Sequence, residues 1–260
     1  MASEDSIFGP LTHKGKRLDV ASVHRVRKRT KQLRAQLELQ RALEGQLLEM
    51  KELRQLVKQL ARLLAPQRDA DVMSAALQQL STQTGSAKVK QLLLSLDEKL
   101  QPNALSGSDM KTIHKLVGKI EAAAPSLLHS NHNSEAVHQL LETRLAALCA
   151  SGAELLDSHD WETLHDWRKL VKKLMYQFQL QASLTPREER LFQQLEKLGD
   201  CLGRIHDMCM LETYVQGHQA QAGDQHKASS YKKIFKLIEA NQEQELASFR
   251  QLFEALEQLQ

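Results

Sequence analysis

Glycine and proline are scarce in this chain, 11 and 5 among 260 residues, and aromatic side chains make up only 4% of it. So few breakers leave room for long helices, and no segment shows the period-two alternation of a half-buried strand. The three cysteines, Cys149, Cys201 and Cys209, fit neither a metal-ligand spacing nor a disulfide framework, so reduced thiols are expected. No window approaches eighteen uncharged apolar residues, which leaves no candidate for a membrane span. The start, Met1 to Pro10, carries two acids and no apolar run, unlike a signal peptide, and the cytoplasm is the expected compartment. A net charge of only +3 argues against a general nucleic-acid coat. Any anion site has to come from charge concentrated locally.

What is abundant is Leu, Ala, Gln, Glu, Lys and Arg, the residues that favour helices. Residues 1–16, with Gly9-Pro10 and Gly15, read as a flexible tail. Helices are expected at about 17–43, 46–65, 69–82, 86–100, 107–123, 133–151, 160–182, 186–202, 206–218 and 227–258. The breaks between them fall at Gly45, Pro66, Gly85, Pro102, Pro125, Gly152, Gly203 and Gly223. Asp157, Ser158 or Asp160 is expected to cap the helix from 160.

Two of these helices carry the same basic stripe. At about 100° per residue, His24, Arg27, Lys28, Lys31 and Arg34 fall within about 120° of one another. Val23, Val26, Thr30, Leu33 and Leu37 fall on a separate face. The second helix repeats the arrangement, with His165, Arg168, Lys169 and Lys172 on one side and Leu164, Trp167, Val171, Leu174 and Phe178 on another. Val23 to Arg34 contains six Lys or Arg and no acid. Like charges three and four apart destabilise a helix by about 0.2–0.5 kcal/mol per pair, so an anion, or acids from another helix, should face each stripe. An ordinary solvated helix face accounts for one such stripe; the same phase twice is harder to attribute to chance.

Each half then continues in one order: a Leu-rich helix, an Arg-Asp or His-Asp step at Arg68-Asp69 and His206-Asp207, a short helix, and a helix with a basic start. His24 to His165 spans 141 positions and Asp69 to Asp207 spans 138. Near-equal offsets over separate landmarks indicate an internal duplication. The expected architecture is all-α: two pseudo-symmetric four-helix bundles with connecting helices around a basic central cavity. Residues 17–258 form a single domain of two helical repeats, at about 17–130 and 131–258.

A helix opening His-x-x-Arg, with bases seven or eight residues on, followed by a Leu-rich helix and an Arg-Asp step, all present twice, resembles the CHAD family, the conserved histidine α-helical domain. The residues carrying the resemblance are His24, Arg27, Lys31, Arg34 and Arg68-Asp69, and His165, Arg168, Lys172, Lys173 and Asp207. It covers about 20–258. The resemblance implies an all-helical protein whose relatives bind inorganic polyphosphate in a basic central channel, some of them at polyphosphate granules. The chain departs from the pattern at Gln32, Met175, Pro66 and His206, and Arg204 is expected to compensate for His206.

The expected function is therefore non-catalytic binding of inorganic polyphosphate or another polyanion, in the cytoplasm or at polyphosphate granules. The binding residues are His24, Arg27, Lys28, Lys31, Arg34, Arg68, His165, Arg168, Lys169, Lys172, Lys173 and Arg204. Asp69 and Asp207 either hold an Arg or His in place or act as ordinary first-turn acids. No cofactor and no metal are expected. Two alternatives stand beside this reading. His159-Asp160, His165-Asp166 and His206-Asp207 suggest a helical metal-dependent His-Asp phosphohydrolase, though neither the second nor the third pair recurs in the first repeat. A helical protein-interaction scaffold would instead leave an apolar stripe on the surface.

Overall fold

In the computed structural model, residues 7–9, 11, 13–14, 17–45, 47–100, 106–128, 134–156, 160–181, 183–222 and 227–260 are described. Among them the chain forms α1 (Val20–Glu44), α2 (Leu48–Leu63), α3 (Ala65–Gln83), α4 (Ala87–Lys99), α5 (Gly107–Leu127), α6 (Ser134–Ala153), α7 (Trp161–Gln179), α8 (Pro186–Ala222) and α9 (Ala228–Glu257). The expected all-α class holds. The one exception is an antiparallel pair of two-residue strands, β1 (His13–Lys14) and β2 (Arg17–Leu18). No described helix is long and apolar enough to cross a membrane.

The helix ends follow local chemistry. Asp19 caps α1 by accepting the Ser22 amide at 2.7 Å, a bond that also lowers its carboxyl pKa. Gly45 closes the same helix at φ 87°, a left-handed conformation that glycine adopts without strain. Ser106 and Asp109 form a capping box at α5. Asp160 caps α7 by accepting the Glu162 amide at 3.1 Å, while Asp157 and Ser158 lie outside the described residues. Pro66 sits at the second position of α3, where a missing N–H costs nothing. The interruption after α2 is thus the single residue Leu64, and α3 starts at Ala65 rather than at about 69.

A larger difference lies at Gly203. The expected helices 186–202 and 206–218 are one continuous helix, α8. A glycine inside a helix costs about 1 kcal/mol relative to alanine, which tertiary packing readily offsets. Here the Arg168 guanidinium lies over Gly203, 3.6 Å from where a Cβ would stand. The expected flexible tail also differs in its described part. Phe8 is fully buried, and Arg25 Nε donates to its carbonyl at 3.0 Å.

The chain divides into two compact units. The first comprises Met1–Asp69, Pro102–Leu145 and Lys173–Leu184, and the second Ala70–Gln101, Ala146–Lys172 and Thr185–Gln260. The boundaries of these units fall inside α3, α6 and α7. The first core packs Phe8, Val26 and Leu33 against Leu53, Val57, Leu60, Ile113 and Ile120. The second packs Leu77, Leu80, Leu93 and Leu96 against Leu211, Val215, Ile234 and Ile238.

Candidate functional site

In the first unit the stripe is built by the burial of the opposite face of α1. Val23, Val26, Thr30, Leu33 and Leu37 are all buried, as their spacing predicts. That burial fixes the rotation of the helix. It leaves His24, Lys28 and Arg34 exposed and Arg27 and Lys31 half-buried. Arg27 Nη1 donates to the carbonyl of Ala61 at 3.3 Å, in the last turn of α2, where carbonyls lack helical partners and the dipole favours a cation. The other two bases of the run serve the fold. Arg25 donates to Phe8 O and to Ser22 Oγ, and the half-buried Arg29 donates to Gln32 Oε1 at 3.2 Å. Gln32, where a base is expected, also donates to Gln179 Oε1 at 3.0 Å.

His24, Lys28 and Arg34 have no hydrogen bond or ion pair among the described residues. Arg68 Nη1 lies 3.4 Å from Oδ1 of its neighbour Asp69, which is itself half-exposed within α3. Lys173 is not on the stripe. Its Nζ is held by Glu38 Oε1 at 3.0 Å. One residue beyond Lys172 is 100° around the helix, which turns Lys173 toward α1.

In the second unit Leu164, Trp167, Val171, Leu174 and Phe178 are buried, again as the spacing predicts (Leu174 and Phe178 lie in the part of α7 assigned to the first unit). The basic side of α7 lies against α8 in an antiparallel register. The His165 ring stacks on His206, centroids 4.1 Å apart. Arg168 lies over Gly203, and Lys172 over Gly199, where an added Cβ would stand 2.7 Å from Lys172 Cε. Two glycines one turn apart thus form a bed for two cationic stems. Lys172 Nζ meets Asp200 at 2.6 Å, and the exposed Lys169 meets Asp166 at 2.6 Å.

Arg204 does not compensate for His206 at the stripe. Two residues apart on a helix is 200°, and Arg204 faces α9, where its Nε and Nη2 donate to Glu245 at 2.6 and 2.9 Å. Asp207 follows His206 in mid-helix, so it is not the first-turn acid of a short helix.

His165 is held below its ordinary pKa of 6.5, first by burial and then by Lys169 and Arg168, against the opposing pull of Asp166. Its Nδ1 is buried and makes no hydrogen bond among the described residues. The unfolded chain binds a proton at about 6.5 that the folded site resists, so stability is full above that pH and falls as pH drops through the lower folded value. Between pH 7 and pH 5 the urea midpoint of the wild type is expected to fall further than that of His165→Asn. Equal falls would show that the ring's setting exerts no such pull.

Burial pushes the Cys149 and Cys209 thiols up to about 11 and Cys201 up to about 12, so none is a ready thiolate nucleophile. No three His, Cys, Asp or Glu residues come together as a metal-ligand group among the described residues. The residues that sequence reasoning passed over are Gly199, which makes room for Lys172, and Arg41, Lys51, Arg54 and Lys58, which gather beside Arg34. Lys51, Arg54 and Lys58 recur at helical spacing, a signal that was there to be read.

The sequence profile of the CHAD domain matches residues 11–216. The fold is similar to the crystal structure of the CHAD domain from the plant Ricinus communis, with a TM-score of 0.65 and 17% identity, over 96% of this chain and 85% of that one. A comparison with curated proteins found no match. The helical architecture, the paired His-x-x-Arg helices and a profile match over most of the length lead to one conclusion: the chain belongs to the CHAD domain family.

Proposed function

We propose that this protein binds inorganic polyphosphate, or a polyanion of similar charge density, without catalysing a reaction on it. The observation that carries the reading is the basic face of α1. Its apolar side is fully buried, which pins the opposite side outward, and His24, Lys28 and Arg34 have no acid partner among the described residues. Nothing in the packing of the helix requires those charges. From His24 to Arg34 is about 15 Å of helix axis, long enough to meet several consecutive phosphates. Arg offers phosphate a planar fork of donors and Lys a mobile point charge.

The α7 stripe supports the same reading in a weaker form. Its lysines already hold acids, and an exposed helix pair such as Lys169 with Asp166 is worth about 0.2–0.5 kcal/mol, little for a polyanion to displace. Arg168, laid over Gly203, is the better-placed donor on that helix. In this reading Arg27, Lys31 and Arg68 add donors beside α1, while Lys173 and Arg204 remain with Glu38 and Glu245. Residence at polyphosphate granules follows if the ligand is polyphosphate.

The test is a titration with long-chain polyphosphate against single-stranded RNA of equal phosphate content, at two salt concentrations. Tight, salt-sensitive binding of polyphosphate with much weaker binding of RNA is the expected result. Equal affinity for the two would reduce the stripes to a generic basic surface, and binding of neither would overturn the reading.

A further inference from the structure

We propose that the cavity between α1 and α2 is a second anion site, sharing only Arg34 with the α1 stripe, that takes a short oligophosphate. The cavity has a volume of about 280 Å³. Five cations line it: Arg34 and Arg41 from α1, and Lys51, Arg54 and Lys58 from α2. All five are exposed, and none has a side-chain hydrogen bond or ion pair among the described residues. The one lining acid, Glu38, is already engaged by Lys173 at 3.0 Å and lies within the field of Arg144. The buried Leu37 and Met50 form an apolar floor. The charge left uncompensated around this small space is therefore wholly positive.

The fold alone gives no reason for this cluster. Lys51, Arg54 and Lys58 stand three and four residues apart on α2, where like charges repel. Lys51 is also in the first turn of α2, where the helix dipole disfavours a cation. Arg34 to Arg41 and Lys51 to Lys58 each span two helical turns, about 10.5 Å, so the two helices present cations along matching lengths. A cavity of this size sits at the small end of ligand sites, too small for a long polymer and suited to a ligand of a few phosphates. The recognised chemistry is a run of two or three linked phosphates, either a free oligophosphate or the tail of a nucleotide.

The test is isothermal titration with sodium tripolyphosphate, with ATP as a second arm to distinguish a free oligophosphate from a nucleotide tail. Wild type binds one tripolyphosphate or one ATP per chain at this site. Arg54→Ala with Lys58→Ala weakens that binding by about 30-fold, the effect of removing two contacts at water-like screening. Lys28→Glu, a change on the stripe outside the cavity, shifts it by less than about 5-fold, the residue being beyond direct contact and screened by salt. Binding by the double variant equal to wild type, or no binding of either probe to wild type in the millimolar range, overturns the proposal. These outcomes do not depend on whether long-chain polyphosphate binds the stripes. Arg54 and Lys58 are exposed and alanine favours helix, so the double variant keeps its fold, which circular dichroism verifies.

Discussion

Replacing Lys28 and Arg34 together by glutamate is expected to lower affinity for long-chain polyphosphate by about 100-fold and leave the thermal unfolding midpoint within about two degrees of wild type. Two unit charges 4 Å apart interact by about 1 kcal/mol in water. Reversal loses the attraction and adds a repulsion of similar size, so two sites amount to about 4 kcal/mol before screening. Salt reduces this for exposed groups, and about 100-fold is what remains. Both side chains are exposed and without partners among the described residues, so the fold loses no contact. The matched reversal of Lys169 and Lys172 should cost binding less, because those lysines are already neutralised by Asp166 and Asp200. Fluorescence anisotropy with labelled polyphosphate measures both. An effect smaller than threefold at Lys28 and Arg34 would remove α1 from the site.

Gly152→Ala acts on the fold instead. A Cβ at residue 152 would stand 2.5 Å from Trp167 Cζ2 and closer still to the Phe253 ring. Neither ring can swing aside. Trp167 is 3% exposed, its indole N–H donates to Leu148 O and Ser151 Oγ, and its edge packs on Phe249 and Phe253. Overpacking of this kind typically costs about 1–3 kcal/mol, and the gain in helix propensity of up to about 1 kcal/mol recovers only part of it. The net loss of about 1–2 kcal/mol should appear as a fall of about 2–6 °C in the unfolding midpoint. Gly199→Ala makes a useful contrast. Its Cβ meets the flexible end of Lys172, which can move, so stability changes little while the Lys172–Asp200 contact is displaced. A Gly152→Ala protein that melts with wild type would show that the aromatic cluster relaxes more easily than its packing implies.

The residues that were legible in the sequence are those whose environment is set within one or two helical turns. The apolar positions of α1 and α7 are buried as their spacing requires, because the helical period is a local property. Asp160 could be read as a cap for the same reason. What escaped the sequence depends on partners far along the chain. Gly203 looks like a breaker until Arg168 is seen to lie over it. Lys173 looks like part of a stripe until Glu38, 135 residues away, takes its charge. Arg204 looked placed to rescue His206, but a two-residue step turned it toward Glu245 on α9. The cluster of Arg41, Lys51, Arg54 and Lys58 exists only because α1 and α2 pack together.

The central claim is that an uncompensated basic face on α1 binds a polyanion by neutralising its phosphates. The dependence of polyphosphate affinity on salt tests it most directly. Each phosphate neutralised contributes about −0.7 to the slope of log K against log salt for a single-stranded polyanion, so engagement of Arg27, Lys28, Lys31 and Arg34 predicts a slope of about −3 or steeper. Lys28→Glu with Arg34→Glu should flatten that slope to about half. A wild-type affinity that does not change with salt would contradict the account.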